Sequence, residues 1–266
     1  MPSEQRYMDG YERKVYDKAR KIIRQDWDCV FLIDGVEGGG KSVKAQQGAE
    51  AVDDTFNSTS IDRVTFTPEE FKTAILSAKK YQAVIYDEAY TGLSSRGTMS
   101  DINKTLVSML AEIRQKNLFV FIVMPTFFDL DKYAAIWRSR GLFHVYTDKG
   151  YGRGYFSYYN KDRKKNLYIL GKKFYDYRKP KPNFRGRFTN RYVVDEELYR
   201  AKKLKALSGR KDKQLTKDES RIPIILKAYC NHVSLRTAEK ELKALGLELS
   251  DSMIKTYIHK IHKELT

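Results

Sequence analysis

A run of glycines ending in lysine and serine follows a short apolar segment. Residues 35–42 read Gly-Val-Glu-Gly-Gly-Gly-Lys-Ser and satisfy the pattern G-x-x-x-x-G-K-[ST]. In such a loop the backbone N–H groups point at phosphates, and glycine allows a close approach that a Cβ would obstruct. The lysine reaches the β- and γ-phosphates, and the serine hydroxyl binds Mg²⁺. The sequence therefore predicts a loop that binds ATP and Mg²⁺. Its nucleotide-binding residues are Gly35, Gly38, Gly39, Gly40, Lys41 and Ser42.

Two acidic residues, Asp87 and Glu88, end a later apolar run that begins at Ala83. An apolar run followed by Asp-Glu is a weak signal alone, but downstream of a phosphate-binding loop it becomes specific. We expect Asp87 to hold the Mg²⁺ of Ser42 through water, and Glu88 to polarise the attacking water as the general base.

The elements around these motifs predict an α/β fold. Apolar runs without alternation read as buried strands, and they are separated by helical periodicity, which indicates a mainly parallel sheet covered by helices on both faces. Thr67 is expected to cap a helix that has Pro68 at its first position. The predicted strands are Cys29–Ile33, Arg63–Thr67, Ala83–Tyr86 and Leu118–Met124. The predicted helices are Tyr11–Arg24, Lys41–Val52, Pro68–Lys79 and Asp101–Lys116.

The chain becomes aromatic and basic after residue 140. The segments LFHVYT, RGYFSYYN and NLYILGKKF are interpreted as short strands joined by turns, which makes residues 151–203 a β-rich basic extension. Aromatic faces can stack on bases while cations neutralise phosphates, so this composition suits nucleic acid. The alternative is that the aromatics are core residues and the lysines are solvated. The candidate nucleic-acid contacts here are Arg153, Lys164, Lys165, Lys172, Lys173, Arg185 and Arg187.

The C-terminal residues return to helical periodicity. Residues 204–218 are interpreted as a linker, and residues 219–266 as three short helices that resemble a helix-turn-helix unit, with Lys255 and Lys260 on the presumed recognition helix. Such a unit binds DNA or docks a protein. With residues 1–150 as the ATPase core, the chain is expected to have three folded parts and one linker.

Charge and composition limit the partners and the location. The net charge is +16, with a sequence pI of about 9.6, which favours a polyanionic partner such as nucleic acid. No segment is apolar and long enough to cross a bilayer, and the first residues do not resemble an export signal. The two cysteines, Cys29 and Cys230, lie in core-like runs and suggest neither a disulfide framework nor a zinc site. We expect a cytoplasmic protein without membrane insertion.

Together these motifs resemble the RecA-like P-loop ATPases with an additional central strand and a catalytic glutamate. In that class a further strand ends in a polar residue that senses the γ-phosphate, and Thr126 holds the matching place after Leu118–Met124. A turn or helix cap is the alternative for Thr126. The helix end at 112–117 and Trp137-Arg138-Ser139-Arg140 are similar to viral packaging and zonular-occludens-toxin-like (FtsK/HerA-related) ATPases. That resemblance implies that Arg138 or Arg140, with Arg114 as the alternate, completes a neighbouring subunit's site.

The resemblance, the motifs and the charge lead to one expectation about function. The chain is expected to be a homo-oligomeric Mg²⁺-dependent ATPase, with a ring as one arrangement, that packages or translocates the DNA of a virus or mobile element. In that case it would work in the host cytoplasm. A DNA-binding regulatory ATPase for transposition or replication is the first alternative. A small-molecule P-loop kinase is the second.

Overall fold

The computed structural model describes residues 7–87, 107–109, 112–208 and 256. By its internal contacts the chain divides into two compact units, Met1–Leu204 and Lys205–Thr266. Almost every described residue belongs to the first unit. The predicted loop at 90–100 and, apart from residue 256, the predicted C-terminal helices lie outside the described residues, whereas residues 107–109 and 112–115 of the predicted helix at 101–116 are helical.

Seven strands form one mixed, mostly parallel sheet in the order β2-β3-β4-β1-β5-β6-β7. The first five strands in that order run parallel, whereas β6 pairs antiparallel with both β5 and β7. The chain therefore has a mixed α/β fold. The strands are β1 (Cys29–Gly35), β2 (Val64–Thr65), β3 (Ala83–Asp87), β4 (Phe119–Val123), β5 (Ser139–Tyr146), β6 (Tyr155–Asn160) and β7 (Phe184–Arg187).

Several helices begin at residues whose side chains satisfy free backbone N–H groups. Asp9 caps the first helix, and the Thr67 hydroxyl accepts the Glu70 N–H at 3.2 Å, as the sequence predicts. Within the described ranges, no helix is long and apolar enough to cross a membrane. The helices are α1 (Gly10–Ile23), α2 (Lys41–Val52), α3 (Pro68–Ser77), α4 (Lys161–Gly171) and α5 (196–208), with a π-helix at Tyr133–Arg138.

The central strands are buried because both faces of the sheet are covered. Side chains alternate between the faces along each strand. On one face Phe31 and Phe121 pack against Tyr16 of α1, with ring centroids 5.7 and 6.3 Å away. On this face α2 lies so close that a Cβ on Gly48 would be 2.6 Å from Phe121. The opposite face packs against α3, the π-helix and α4.

The segment NLYILGKKF was predicted as a strand, and this prediction is wrong. Residues 161–171 form helix α4, whose Asn160 cap accepts the Arg163 N–H at 3.0 Å. The buried positions Lys164, Leu167, Tyr168 and Gly171 follow a helical spacing. Because that stripe begins at a lysine, hydrophobicity alone does not show it.

One edge of the sheet gathers the chain segments that matter for chemistry. The parallel strands β1, β3, β4 and β5 all end there, and the β5–β6 hairpin at 147–154 turns there. Strand β7 also ends there, since Arg187 pairs with Tyr155 at the start of β6. The following residues run along α2, where Gln46 accepts the Val193 N–H at 3.0 Å, and reach helix α5.

Candidate functional site

The glycine-rich segment forms a tight loop between β1 and α2. Gly35, Gly38 and Gly40 have φ values of 129°, 70° and 96°, which side chains rarely tolerate. A Cβ on Gly35 would lie 1.8 Å from the carbonyl oxygen of Val145 on β5, so only glycine fits this position. No side chain caps α2, whose Ncap residue is Gly40. The first N–H groups of α2 therefore suit an anion.

Lys41 lies inside this loop. Its Nζ donates to the carbonyl oxygens of Gly35 at 2.7 Å and Val36 at 3.0 Å. Burial lowers the pKa of Lys41, and the carboxylates of Asp34, Glu37 and Asp87 oppose that shift. The ammonium therefore lies among the phosphate-binding backbone groups and within the field of the acidic side chains.

Asp87 lies at the same sheet edge, two strands away from the loop. Asp87 and Ile33 both align with Val123, because β4 lies between β3 and β1. Strands are about 4.8 Å apart, so these two residues are roughly 10 Å apart across the sheet. Asp87 is buried, with 2% of its surface exposed. Glu88, the predicted general base, lies outside the described residues.

The carboxylate of Asp87 is held by helix α5, which the sequence analysis did not connect with the site. The Tyr199 hydroxyl donates to Asp87 Oδ2 at 2.6 Å, and Lys203 Nζ lies 4.0 Å from the same oxygen. Burial and the Asp87 carboxylate raise the pKa of Tyr199, whereas a hydrogen bond with Ser42 lowers it. Tyr199 thus holds one predicted Mg²⁺ ligand, Asp87, and its hydroxyl lies near the other, Ser42. Both offer oxygen atoms, which suit Mg²⁺.

Thr126 ends the strand between the loop and Asp87. Its hydroxyl accepts the Phe128 N–H at 3.4 Å, which caps a short 3-10 helix, and lies 3.2 Å from the Tyr177 hydroxyl. The capping interpretation of Thr126 therefore describes its contacts, and the γ-phosphate sensor role stays a prediction.

A buried polar network that sequence reasoning missed joins this strand end to the base of the loop. Asp34, the last residue before Gly35, is fully buried. Its carboxylate accepts the Phe127 N–H at 2.9 Å and the Tyr177 hydroxyl, and its other oxygen lies 3.0 Å from His144 Nδ1. Burial and Asp34 raise the pKa of Tyr177. A satisfied network of this kind fixes the positions of its members.

The candidate arginines lie at the opposite edge of the sheet. Arg138 Nη2 donates to Asp28 Oδ2 at 2.6 Å, and Arg140 lies over the ring of Trp27, 5.0 Å from its centroid. Arg114 also lies over Trp27, at 6.0 Å. Trp27 and Asp28 precede β1, so all three guanidinium groups are far from the loop of their own chain. A role in a neighbouring subunit stays a prediction for each of them.

The candidate nucleic-acid residues do not share one environment. The prediction that Lys164 contacts nucleic acid is wrong. Its buried Nζ donates to the carbonyl oxygens of Ala135 and Ile136 and cannot reach a polyanion. Exposed residues contact aromatic rings or hydroxyls of their own chain: Lys165 with Trp137, Lys172 with Tyr168, Lys173 with Phe174, and Arg187 with Tyr155. Arg185 is exposed on β7. Lys255 and Lys260 lie outside the described residues.

Arg153 was also predicted to contact nucleic acid, and the structure places it beside the phosphate-binding loop. A Cβ built on Gly38 would lie 3.9 Å from Arg153 Nη2. Phe188, which follows β7, packs on the same loop, since a Cβ on Gly40 would lie 3.1 Å from its ring. Sequence reasoning could not identify these neighbours, because they lie far from the loop along the chain.

Comparison with protein-family models and with curated proteins finds no match for this chain. Among solved structures, the N-terminal domain of zonular occludens toxin from Neisseria meningitidis aligns with 65% of this chain and 98% of that chain. The TM-score is 0.35 and the sequence identity is 16%. The proposed function therefore rests on the residues of this chain.

Proposed function

We propose that this chain is a Mg²⁺-dependent P-loop ATPase. The observation that supports this most is the meeting of the glycine-rich loop and Asp87 at one sheet edge, with strand β4 between them. A catalytic glutamate after a strand in this position belongs to the additional-strand class of P-loop ATPases, which the sequence also resembles.

Each residue of the site has a separate role in this proposal. The loop and Lys41 bind the phosphates, Ser42 and Asp87 hold Mg²⁺, and Glu88 orients and deprotonates the attacking water. When bound, Mg²⁺ neutralises charge on the β- and γ-phosphate oxygens. Thr126 is fixed by Tyr177, at a strand end where a γ-phosphate sensor would act.

We further propose that the ATPase acts on DNA. The net charge of +16 and the exposed Lys165, Lys172, Lys173 and Arg185 support a polyanionic partner. A homo-oligomeric packaging or translocation motor is the form we favour. A DNA-bound regulatory ATPase is the second candidate, and the helical periodicity at 219–266 supports it equally. A triplex-displacement assay separates them, because only a motor strips a third strand using ATP.

The test compares wild-type protein with Lys41→Ala and Glu88→Gln. We expect Lys41→Ala to lose nucleotide binding, and Glu88→Gln to bind ATP without turning it over. ATPase rates are measured with no DNA, duplex and single strands across a salt series, where DNA stimulation should fall as salt rises. Normal turnover by Glu88→Gln refutes the catalytic assignment. A wild-type rate that DNA leaves unchanged at low salt refutes the DNA-dependent function.

A further inference from the structure

Arg153 occupies a defined position at the edge that carries the phosphate-binding loop. It lies in the hairpin between β5 and β6, and β5 is the direct neighbour of β1. Its Nη2 atom lies 3.9 Å from the position that a Cβ on Gly38 would take. Strand β3, with Asp87, lies on the other side of β1. The loop is therefore flanked by Asp87 on one side and by Arg153 on the other.

The backbone that carries Arg153 is fixed on both sides. Asp148 Oδ1 accepts the Gly152 N–H at 2.7 Å, and the Gly154 carbonyl accepts the Phe188 N–H at 2.8 Å. Gly154 has a φ of 92°, and a Cβ there would lie 2.5 Å from the Phe188 carbonyl oxygen. The hairpin can adopt this shape only with glycine after Arg153, so the side chain starts from a constrained point next to the loop.

The guanidinium of Arg153 has no acidic partner among the residues that the structure describes, and its side chain is exposed. By contrast Arg138, Arg63 and Arg191 are paired with Asp28, Asp53 and Glu50. An arginine without a carboxylate, next to backbone N–H groups suited to an anion, suits a phosphate, because its planar fork can donate two parallel hydrogen bonds.

We propose that Arg153 binds the α- and β-phosphates of the nucleotide in its own subunit. This deepens the proposed function and rests on it. In the proposed function Ser42 and Asp87 would hold Mg²⁺ beside the terminal phosphates, so the terminal phosphate would lie on the side of β4 and β3. The phosphates nearer the nucleoside then lie towards β5, where Arg153 is. ATP and ADP share those phosphates, so Arg153 supports the binding of both.

The experiment measures the affinity of ADP and of a non-hydrolysable ATP analogue by calorimetry, with Mg²⁺ and at low salt. We expect Arg153→Ala to weaken both about tenfold to a hundredfold, the usual effect of losing a hydrogen bond to a charged group. Arg153→Lys should lose less affinity, because lysine keeps the positive charge but cannot donate two parallel hydrogen bonds. Arg24→Ala, which removes the same charge from the exposed C-terminal end of α1, should change either affinity less than about twofold. The unfolding temperature confirms that each variant is folded.

The possible results separate this inference from the proposed function. If wild-type protein binds neither nucleotide, the proposed function fails and this inference fails with it. If wild-type protein binds both and Arg153→Ala binds them equally well, only the role of Arg153 is overturned. A loss confined to the ATP analogue overturns the assignment to the α- and β-phosphates. If Arg153→Ala keeps its nucleotide affinity but binds a short DNA duplex more weakly, Arg153 contacts DNA rather than nucleotide, and the inference is overturned.

Discussion

Replacing Tyr199 by phenylalanine should have opposite effects on the free protein and on its nucleotide complex. The Tyr199 hydroxyl donates to Asp87 Oδ2 at 2.6 Å and lies near the Ser42 side chain, which lowers its pKa. These are the two side chains that the proposed function assigns to Mg²⁺. In the free protein the hydroxyl satisfies a buried carboxylate. In the proposed complex the Asp87 carboxylate would face Mg²⁺ or one of its waters, so the hydrogen bond from Tyr199 would be broken or rearranged.

The size of both effects follows from one hydrogen bond. A hydrogen bond to a charged group contributes about 1.5–3 kcal/mol, so Tyr199→Phe should destabilise the free protein by about 2 kcal/mol. For a folded unit of this size that lowers the unfolding temperature by about 4–8 °C. Lys203, whose Nζ lies 4.0 Å from Asp87 Oδ2, is unchanged in the variant and still partly neutralises the buried carboxylate. Because the variant no longer breaks this bond, the same ~2 kcal/mol should raise its affinity for Mg²⁺–nucleotide about thirtyfold.

The assay pairs thermal unfolding of the free protein with nucleotide titration in Mg²⁺ and in EDTA. The control is Tyr192→Phe, which removes a hydroxyl from the ring that packs at a tilt against Tyr199, with centroids 5.4 Å apart. In the described structure Tyr192 has no hydrogen bond to Asp87 or Ser42, so the control should change neither quantity much. If Tyr199→Phe lowers the unfolding temperature but leaves the Mg²⁺–nucleotide affinity unchanged or weaker, Tyr199 does not compete with the metal and the reasoning is wrong.

Two buried lysines give further predictions. Burial lowers the pKa of Lys164 to about 7, so between pH 7 and 10.5 the unfolded chain binds the extra proton and wild-type stability rises with pH. The unfolding temperature of wild type minus that of Lys164→Met should therefore increase from about pH 7 to 10, and a difference that stays constant or falls contradicts this. Lys44 forms a buried ion pair with Glu12, so Lys44→Met alone should lose about 3–5 kcal/mol in urea unfolding. The double variant with Glu12→Gln should regain most of the lost free energy of unfolding, because no unpaired charge stays buried. If the losses of the two single variants simply add in the double variant, this prediction is wrong.

Much of the local structure could be predicted because it depends on neighbouring residues. Helix α2 has the predicted bounds, Lys41–Val52, and the start of α3 at Pro68 with its Thr67 cap is also confirmed. Apolar runs gave β1 and β4 within about two residues, since a strand buried on both faces needs apolar side chains throughout. The prediction failed at α4, where the buried stripe begins at a lysine whose hydrogen-bond partners lie on the π-helix.

The surroundings of the site could not be predicted in the same way. Tyr199 and Asp87 are 112 positions apart, and Tyr177 and Asp34 are 143 apart. Nothing in either local sequence specifies the partner, because each contact depends on the strand order and on the path of the chain after β7. The burial of Lys164 and the pairing of Arg138 with Asp28 have the same origin.

The sequence by itself determined the phosphate-binding loop, because its glycines and the lysine–serine pair act through the backbone of consecutive residues. It also determined the strands and helices on either side, through the spacing of apolar side chains. Only the tertiary structure decided that Asp87, Tyr199 and Arg153 surround that loop. Their meeting depends on parallel strands that end at one edge and on a hairpin and a helix that return to it.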